Sequence, residues 1–447
     1  MKNIVFFFTM ICLSIVSCVA PDLSIPKEPV ADKTPPISSS INGDYTLVVE
    51  GYDWGAAASK VILSLDDSLT VMGAKDFEVI VNRATLCADL KPTEATGKLK
   101  VLYTYPSDAK ANRVSKGNHL TIVLYVAPFE QLNSPIKYFA QSPNCRGNNW
   151  IDFELTITNT VTNQVWGQET NRIIPLVDDF DLTGMHTHKD VSLTYASFTP
   201  QSRKGKRPLI IWLHGGGEGG TDTTIPLLAN RATNYASAEM QAYFEGAYVL
   251  VPQSPTFWMD KGDGQYTRGE VNDIYNESLM ALIENYIKLN PAIDKDRIYI
   301  GGCSNGGYMT LKLLMLYPDY FAAAFPSALA FHAKNLKETD IEKIKEIPIW
   351  FIHSKDDPVT VASETVLPTY QKLIASGAKN VHLSMFDHVT DITNQFGGED
   401  YHYQGHFSWI YSHANKCQLD YDGKPVKIGG QPVTLMGWLA RQSKASL

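Results

Sequence analysis

Apolar and polar positions alternate in short runs through the first third of the chain. YTLVVEGY (45–52), KVILSL (60–65), FEVIVNR (77–83), KLKVLYTY (98–105), LTIVLYV (120–126) and WIDFELTIT (150–158) are rich in β-branched or aromatic residues and are bounded by turn formers. That spacing predicts six strands of a β-sandwich, with no helix of any length between them. After about residue 180 the pattern changes. RPLIIWLHG (207–215) and GAYVLVPQS (246–254) are continuous apolar runs, as strands covered on both faces require. In VNDIYNESLMALIENYIKLN (271–290), Ile274, Leu279, Leu282, Ile283, Tyr286 and Ile287 recur at helical intervals. RIYIGG, a helical pattern from Gly307 to Leu316, YFAAAFPSA, the helical NLKETDIEKIKE and the strand IPIWFIHS follow in turn. Alternating strand and helix predict a mostly parallel sheet with helices on both faces.

The first residues obey neither pattern. Ile4–Ile15 is almost wholly apolar, too short for a spanning helix, and has the form of a signal peptide. Ile15-Val16-Ser17-Cys18 is similar to a bacterial lipobox, which makes Cys18 the expected lipidation site and the cell envelope the expected location. The Pro/Ser/Lys-rich residues 19–42 then read as a tether. A formal charge of −8 without a long Lys/Arg run argues against a nucleic-acid partner. Export implies an oxidising compartment, in which Cys87 with Cys145, and Cys303 with Cys417, are the plausible disulfide pairs, with free buried thiols the alternative for each.

The chemistry concentrates after residue 200. Gly302-Cys303-Ser304-Asn305-Gly306 is G-x-S-x-G, with a strand before it and a helix after it. A serine lifted on such a turn needs a base, and the base needs an orienting acid, in the chain order Ser, acid, His. HSKDDPV ends a buried strand and offers Asp357, with Asp356 as the lesser candidate. YQGHFSW offers His406, with His388 second. HGGGEGG (214–220) follows another buried strand, so Gly216 or Gly217 would donate one N–H to an oxyanion and Asn305 the other. His214 belongs to the packing behind that loop, since no set of zinc-like spacing accompanies it. Trp258, Tyr266 and His402 are the candidate substrate contacts, with packing an equal reading for Trp258 and an ordinary surface position the default for His402. Trp54 and Trp150 are either a carbohydrate platform or core residues. This chemistry calls for no metal and no organic cofactor.

From Gly43 onward the chain resembles bacterial secreted carboxylesterases in which an immunoglobulin-like domain precedes an α/β-hydrolase domain of feruloyl-esterase and polyhydroxybutyrate-depolymerase type. VEGYDWGAAASKVILSL, HGGGEGG, RIYIGGCSNGGYMT, HSKDDPV and GHFSW carry the likeness. After the signal peptide read at 1–17 and the tether at 18–42, it implies an immunoglobulin-like sandwich at 43–178 and an α/β-hydrolase domain at 179–447. It also implies Ser304 as nucleophile, Asp357 as acid and His406 as base. The expected activity is hydrolysis of bulky carboxylic esters, such as feruloylated or acetylated polysaccharide, through an acyl-enzyme. Two other readings compete: a serine peptidase of prolyl-oligopeptidase type, and a non-catalytic glycan-binding surface lipoprotein. The peptidases usually carry a long propeller, and no blade repeat is visible here.

Overall fold

The computed structural model describes residues 43–65, 72–85, 95–140, 145–201, 205–229 and 231–446. The signal-like stretch, the tether, Cys18 and Cys87 lie outside the described residues. Residues 41–447 form one compact unit.

Its first half is all β. Strands β1 (Gly43–Tyr52), β2 (Gly55–Ser64), β3 (Phe77–Ala84), β4 (Ala95–Leu99), β5 (Val101–Ser107), β6 (His119–Leu124), β9 (Asp152–Asn159) and β10 (Val165–Ile173) hydrogen-bond in the order β4-β3-β9-β10-β1-β2-β6-β5. Only Lys100 separates β4 from β5, yet they are the two ends of that order. The sheet therefore curls round on itself, enclosing Leu47, Val61, Val79, Ile122, Leu155 and Trp166. The predicted single strand at 98–105 is this corner. A separate hairpin, β7 (Ile136–Phe139) with β8 (Gly147–Trp150), was not legible in the hydrophobic pattern, because its residues mix exposed and buried sides within four positions.

The second half is built on β11 (Asp181–His188), β12 (Val191–Phe198), β13 (Arg207–Leu213), β14 (Tyr248–Gln253), β15 (Ile293–Cys303), β16 (Ala323–Ser327), β17 (Ile349–Ser354) and β18 (Val381–Phe386). They stand in the order β11-β12-β14-β13-β15-β16-β17-β18, antiparallel through the first three and parallel from β14 to β18. This is the α/β-hydrolase sheet. Helices α1 (Thr224–Leu228) and α2 (Ala238–Phe244) follow β13; α3 (Asn276–Leu289), α4 (Asn305–Leu316), α5 (Glu338–Ile344) and α6 (Val366–Ala375) connect the later strands. Ile274, expected on α3, precedes it and is exposed. One apolar cluster runs from Leu47 and Trp166 of the first sheet through Leu228 of α1 to Trp212 of β13, so the two halves share a core.

Cys303 and Cys417 are both buried thiols and not the expected disulfide. Cys303 ends β15, whereas the Cys417 thiol hydrogen-bonds Ser384 on β18, with β16 and β17 between those strands. Cys145 is disulfide-bonded.

Candidate active site

The turn from β15 into α4 holds Ser304 at φ 52° and ψ −108°, a left-handed conformation that strains any side-chain-bearing residue by about 1–3 kcal/mol. The surroundings impose it. Ser304 N–H donates to the Ser327 carbonyl of β16 (2.9 Å), and Tyr308 N–H closes the first turn of α4 onto Ser304 O (2.9 Å). A Cβ at position 302 would stand 2.6 Å from the Gly306 carbonyl oxygen, and one at 306 would stand 2.7 Å from the His214 carbonyl oxygen. Both glycines are therefore forced by backbone passing against backbone.

Asp357 and His406 meet each other, and His406 shares a cavity lining with Ser304. The His406 Nδ1 lies 3.0 and 2.8 Å from the two Asp357 carboxylate oxygens. Val359 N–H (2.8 Å) and Thr360 N–H (2.9 Å) donate to Asp357 Oδ1, and the Thr360 hydroxyl donates to Oδ2 (2.6 Å). Burial alone would favour the neutral acid, but the hydrogen bond and charge of His406, with the hydrogen bonds of Thr360, outweigh it and hold Asp357 well below the usual carboxylate range. Gly405 lets the histidine loop approach, since a side chain there would overlap the Asp356 backbone. The neighbouring pair is separate: Asp356 accepts from His388 Nδ1 (2.8 Å), and His388 is about half exposed. Adjacent aspartates thus serve different histidines. Behind them His353 donates Nε2–H to the Thr360 carbonyl (2.7 Å), and burial lowers its pKa to about 4, so it stays neutral. No spacing in the sequence singled out His353 or Thr360.

The glycine loop is held just as closely. Ser254 N–H donates to His214 Nε2 (3.1 Å), so Nδ1 carries the proton and donates to the Gly215 carbonyl (2.6 Å). Burial lowers the His214 pKa to about 4, which keeps this neutral tautomer. Glu218 N–H returns to the Gly215 carbonyl (3.4 Å), and Gln253 Nε2 donates to the Glu218 carbonyl (2.9 Å). The N–H groups of Gly216, Gly217 and Asn305 have no partner among the described residues. Ser304, His406, Gly215, Gly216, Gly217 and Glu218 line one cavity of about 550 Å³. Its aromatic walls are Trp54, Tyr138, Tyr266, Phe407 and Trp409.

Of the expected substrate contacts, Tyr266 lines this cavity. Trp258 does not: it is fully buried, with its ring 5.0 Å from His214, so it packs behind the loop. His402 is exposed and stacks on His388 at 4.3 Å, outside the cavity lining. Trp150 donates to Thr224 (2.9 Å) and sits under Arg172, while Trp54 stacks on Tyr52. Tyr138 and Asn148 line the cavity as well, unheralded by any motif.

Fold and site define a class: an α/β-hydrolase sheet with a serine elbow, joined to a curled β domain. Residues 44–171 match the esterase immunoglobulin-like N-terminal domain, and residues 256–339 match the prolyl oligopeptidase family. The chain is 30% identical over 137 residues to poly(3-hydroxyalkanoate) depolymerase C of Paucimonas lemoignei, a match covering 29% of each chain. It is 28% identical over 204 residues to a probable carboxylesterase (SOBER1-like) of Arabidopsis thaliana, covering 41% of this chain and 72% of that one. A crystal structure of a thermostable esterase superposes with TM-score 0.69 at 23% identity, over 89% of this chain and 99% of the other. The two-part architecture, sandwich then hydrolase sheet, is therefore shared with that esterase.

Proposed function

We propose that the protein is a serine carboxylesterase. Ser304 Oγ attacks the ester carbonyl while His406 Nε2 takes its proton. Asp357 fixes the imidazole with Nδ1–H toward the carboxylate. The N–H groups of Gly216 or Gly217 and of Asn305 receive the oxyanion, and the alcohol leaves with the proton from His406. Water, deprotonated by His406, then attacks the acyl-enzyme, and the acid departs as Ser304 regains its proton. The observation that carries this reading is the convergence of the strained serine, the Asp357–His406 pair and the unpartnered loop N–H groups on one cavity.

An aromatic-walled cavity suits bulky or ring-bearing esters, of the feruloyl or acylated-polysaccharide kind. The depolymerase and carboxylesterase relatives support ester substrates. The lipobox-like Ile15–Cys18 supports an envelope-anchored protein. The match to the prolyl oligopeptidase family over 256–339 favours peptide cleavage as the second reading.

Hydrolysis of p-nitrophenyl acetate by the wild type and by Ser304→Ala tests the nucleophile, and the alanine variant is expected to lose about 10⁶-fold in kcat. Turnover surviving in that variant refutes the assignment. Release of ferulate or acetate from xylan, measured against cleavage of proline peptides, separates esterase from peptidase.

A further inference from the structure

The N-terminal sandwich does not merely precede the hydrolase sheet, because its hairpin β7–β8 touches the glycine loop. Asn148 N–H donates to the Gly217 carbonyl (2.6 Å), and Asn148 Nδ2 donates to Glu218 Oε1 (2.9 Å). Gly147, at φ +75°, permits this approach: a Cβ there would stand 2.8 Å from the Gly217 carbonyl carbon. The Tyr138 ring covers the same glycine, with an edge carbon 3.0 Å from where a Gly217 side chain would begin. Arg146 ties the hairpin to Tyr266, another residue of the cavity lining, through its Oη (2.9 Å), and the guanidinium also lies 4.3 Å from the buried Phe257 ring.

A run of glycines has no side chains to hold its shape, and its backbone freedom is large. From the hydrolase side the loop is tied by His214 to the Gly215 carbonyl and by Gln253 to the Glu218 carbonyl. The Gly217 carbonyl and the Glu218 carboxyl, between those ties, are held by Asn148. Freezing the Gly217–Glu218 peptide sets the direction of the neighbouring N–H groups that would face an oxyanion. Donors aimed beforehand lower the barrier, whereas donors that must reorient do not.

We propose that the β7–β8 hairpin is a working part of the active site, with Asn148 a positioning residue that holds the glycine loop in its oxyanion-binding shape. The proposal rests on the esterase reading above. The loop geometry acts on the transition state rather than on the bound ester, so kcat and not KM should respond.

Steady-state hydrolysis of p-nitrophenyl acetate by the full chain tests it, with thermal unfolding measured on every variant. Asn148→Ala is expected to lower kcat about tenfold, part of the 10²–10³ that loss of a whole oxyanion donor costs, with KM within about twofold. Asn148→Asp is expected to lower kcat further, because it sets a second carboxyl against Glu218. Adding Glu218→Gln to Asn148→Asp should recover most of that loss, since the new amide donates back to the new carboxylate. If Asn148→Asp does not accumulate as folded protein, Asn148→Ala decides alone. An unchanged kcat, a change confined to KM, or a lowered melting point with normal kcat overturns the positioning role. Each of those outcomes leaves the esterase reading standing as long as Ser304→Ala is inactive. Turnover persisting in Ser304→Ala strikes the esterase reading itself.

Discussion

Glu218 offers a quantitative check on the electrostatics of the glycine loop. The residue is only 7% exposed, and burial, opposed in part by the Asn148 and Gly215 hydrogen bonds, raises its pKa from 4.5 to about 7. A shift of that size corresponds to about 3 kcal/mol at ~1.36 kcal/mol per unit. The raised value means the folded state prefers the protonated acid. This stabilisation is complete below about pH 4.5 and is lost as pH rises through about 7. Glu218→Gln is neutral at every pH and keeps an acceptor for Asn148. The variant should therefore match the wild type in stability near pH 4.5 and exceed it by about 3 kcal/mol at pH 8.5. With roughly 400 folded residues, that difference is about 4 °C in Tm. Urea denaturation and thermal scans of both proteins between pH 4.5 and 8.5 measure it, and other carboxylates cancel in the difference. A gap that stays constant with pH, or that favours the wild type at high pH, refutes the claim that this carboxyl is buried at a cost.

Three further variants are decided by the geometry. Gly306→Ala pushes a methyl group against the Leu213 and His214 carbonyls, which cannot retreat, so soluble yield and Tm should fall with a loss of about 3 kcal/mol or more; a variant as stable as wild type contradicts the elbow packing. Asp357→Asn should cut kcat about 10⁴-fold with little change in KM, whereas His388→Ala, which removes the Asp356 pair and the His402 stack, both outside the cavity lining, should stay within about twofold in p-nitrophenyl acetate kinetics.

Much of this organisation is local and was written in the chain. Continuous apolar runs at 208–213 and 349–352 demand burial on both faces, and the helical periods between strands make the connections parallel; those two facts decide a mostly parallel, helix-covered sheet before any coordinate is known. Glycines flanking Ser304 are equally local, because the sharp strand-to-helix turn rejects side chains at both places. Which aspartate serves which histidine is a different kind of fact. Asp356 and Asp357 are neighbours of identical type, and only the course of the loops from 387 to 406 sends one to His388 and the other to His406. Trp258 and Tyr266 lie eight positions apart in one loop with equal claim to a ligand, yet the fold buries one and turns the other into the cavity. Asn148 carries no motif at all. Its place against Glu218 arises because the two halves share a core, and long-range packing of that kind leaves no periodic trace in the segments it joins. Patterns of nearest neighbours specify strands, helices and turns, whereas contacts between residues 70 positions apart exist only once those elements have packed.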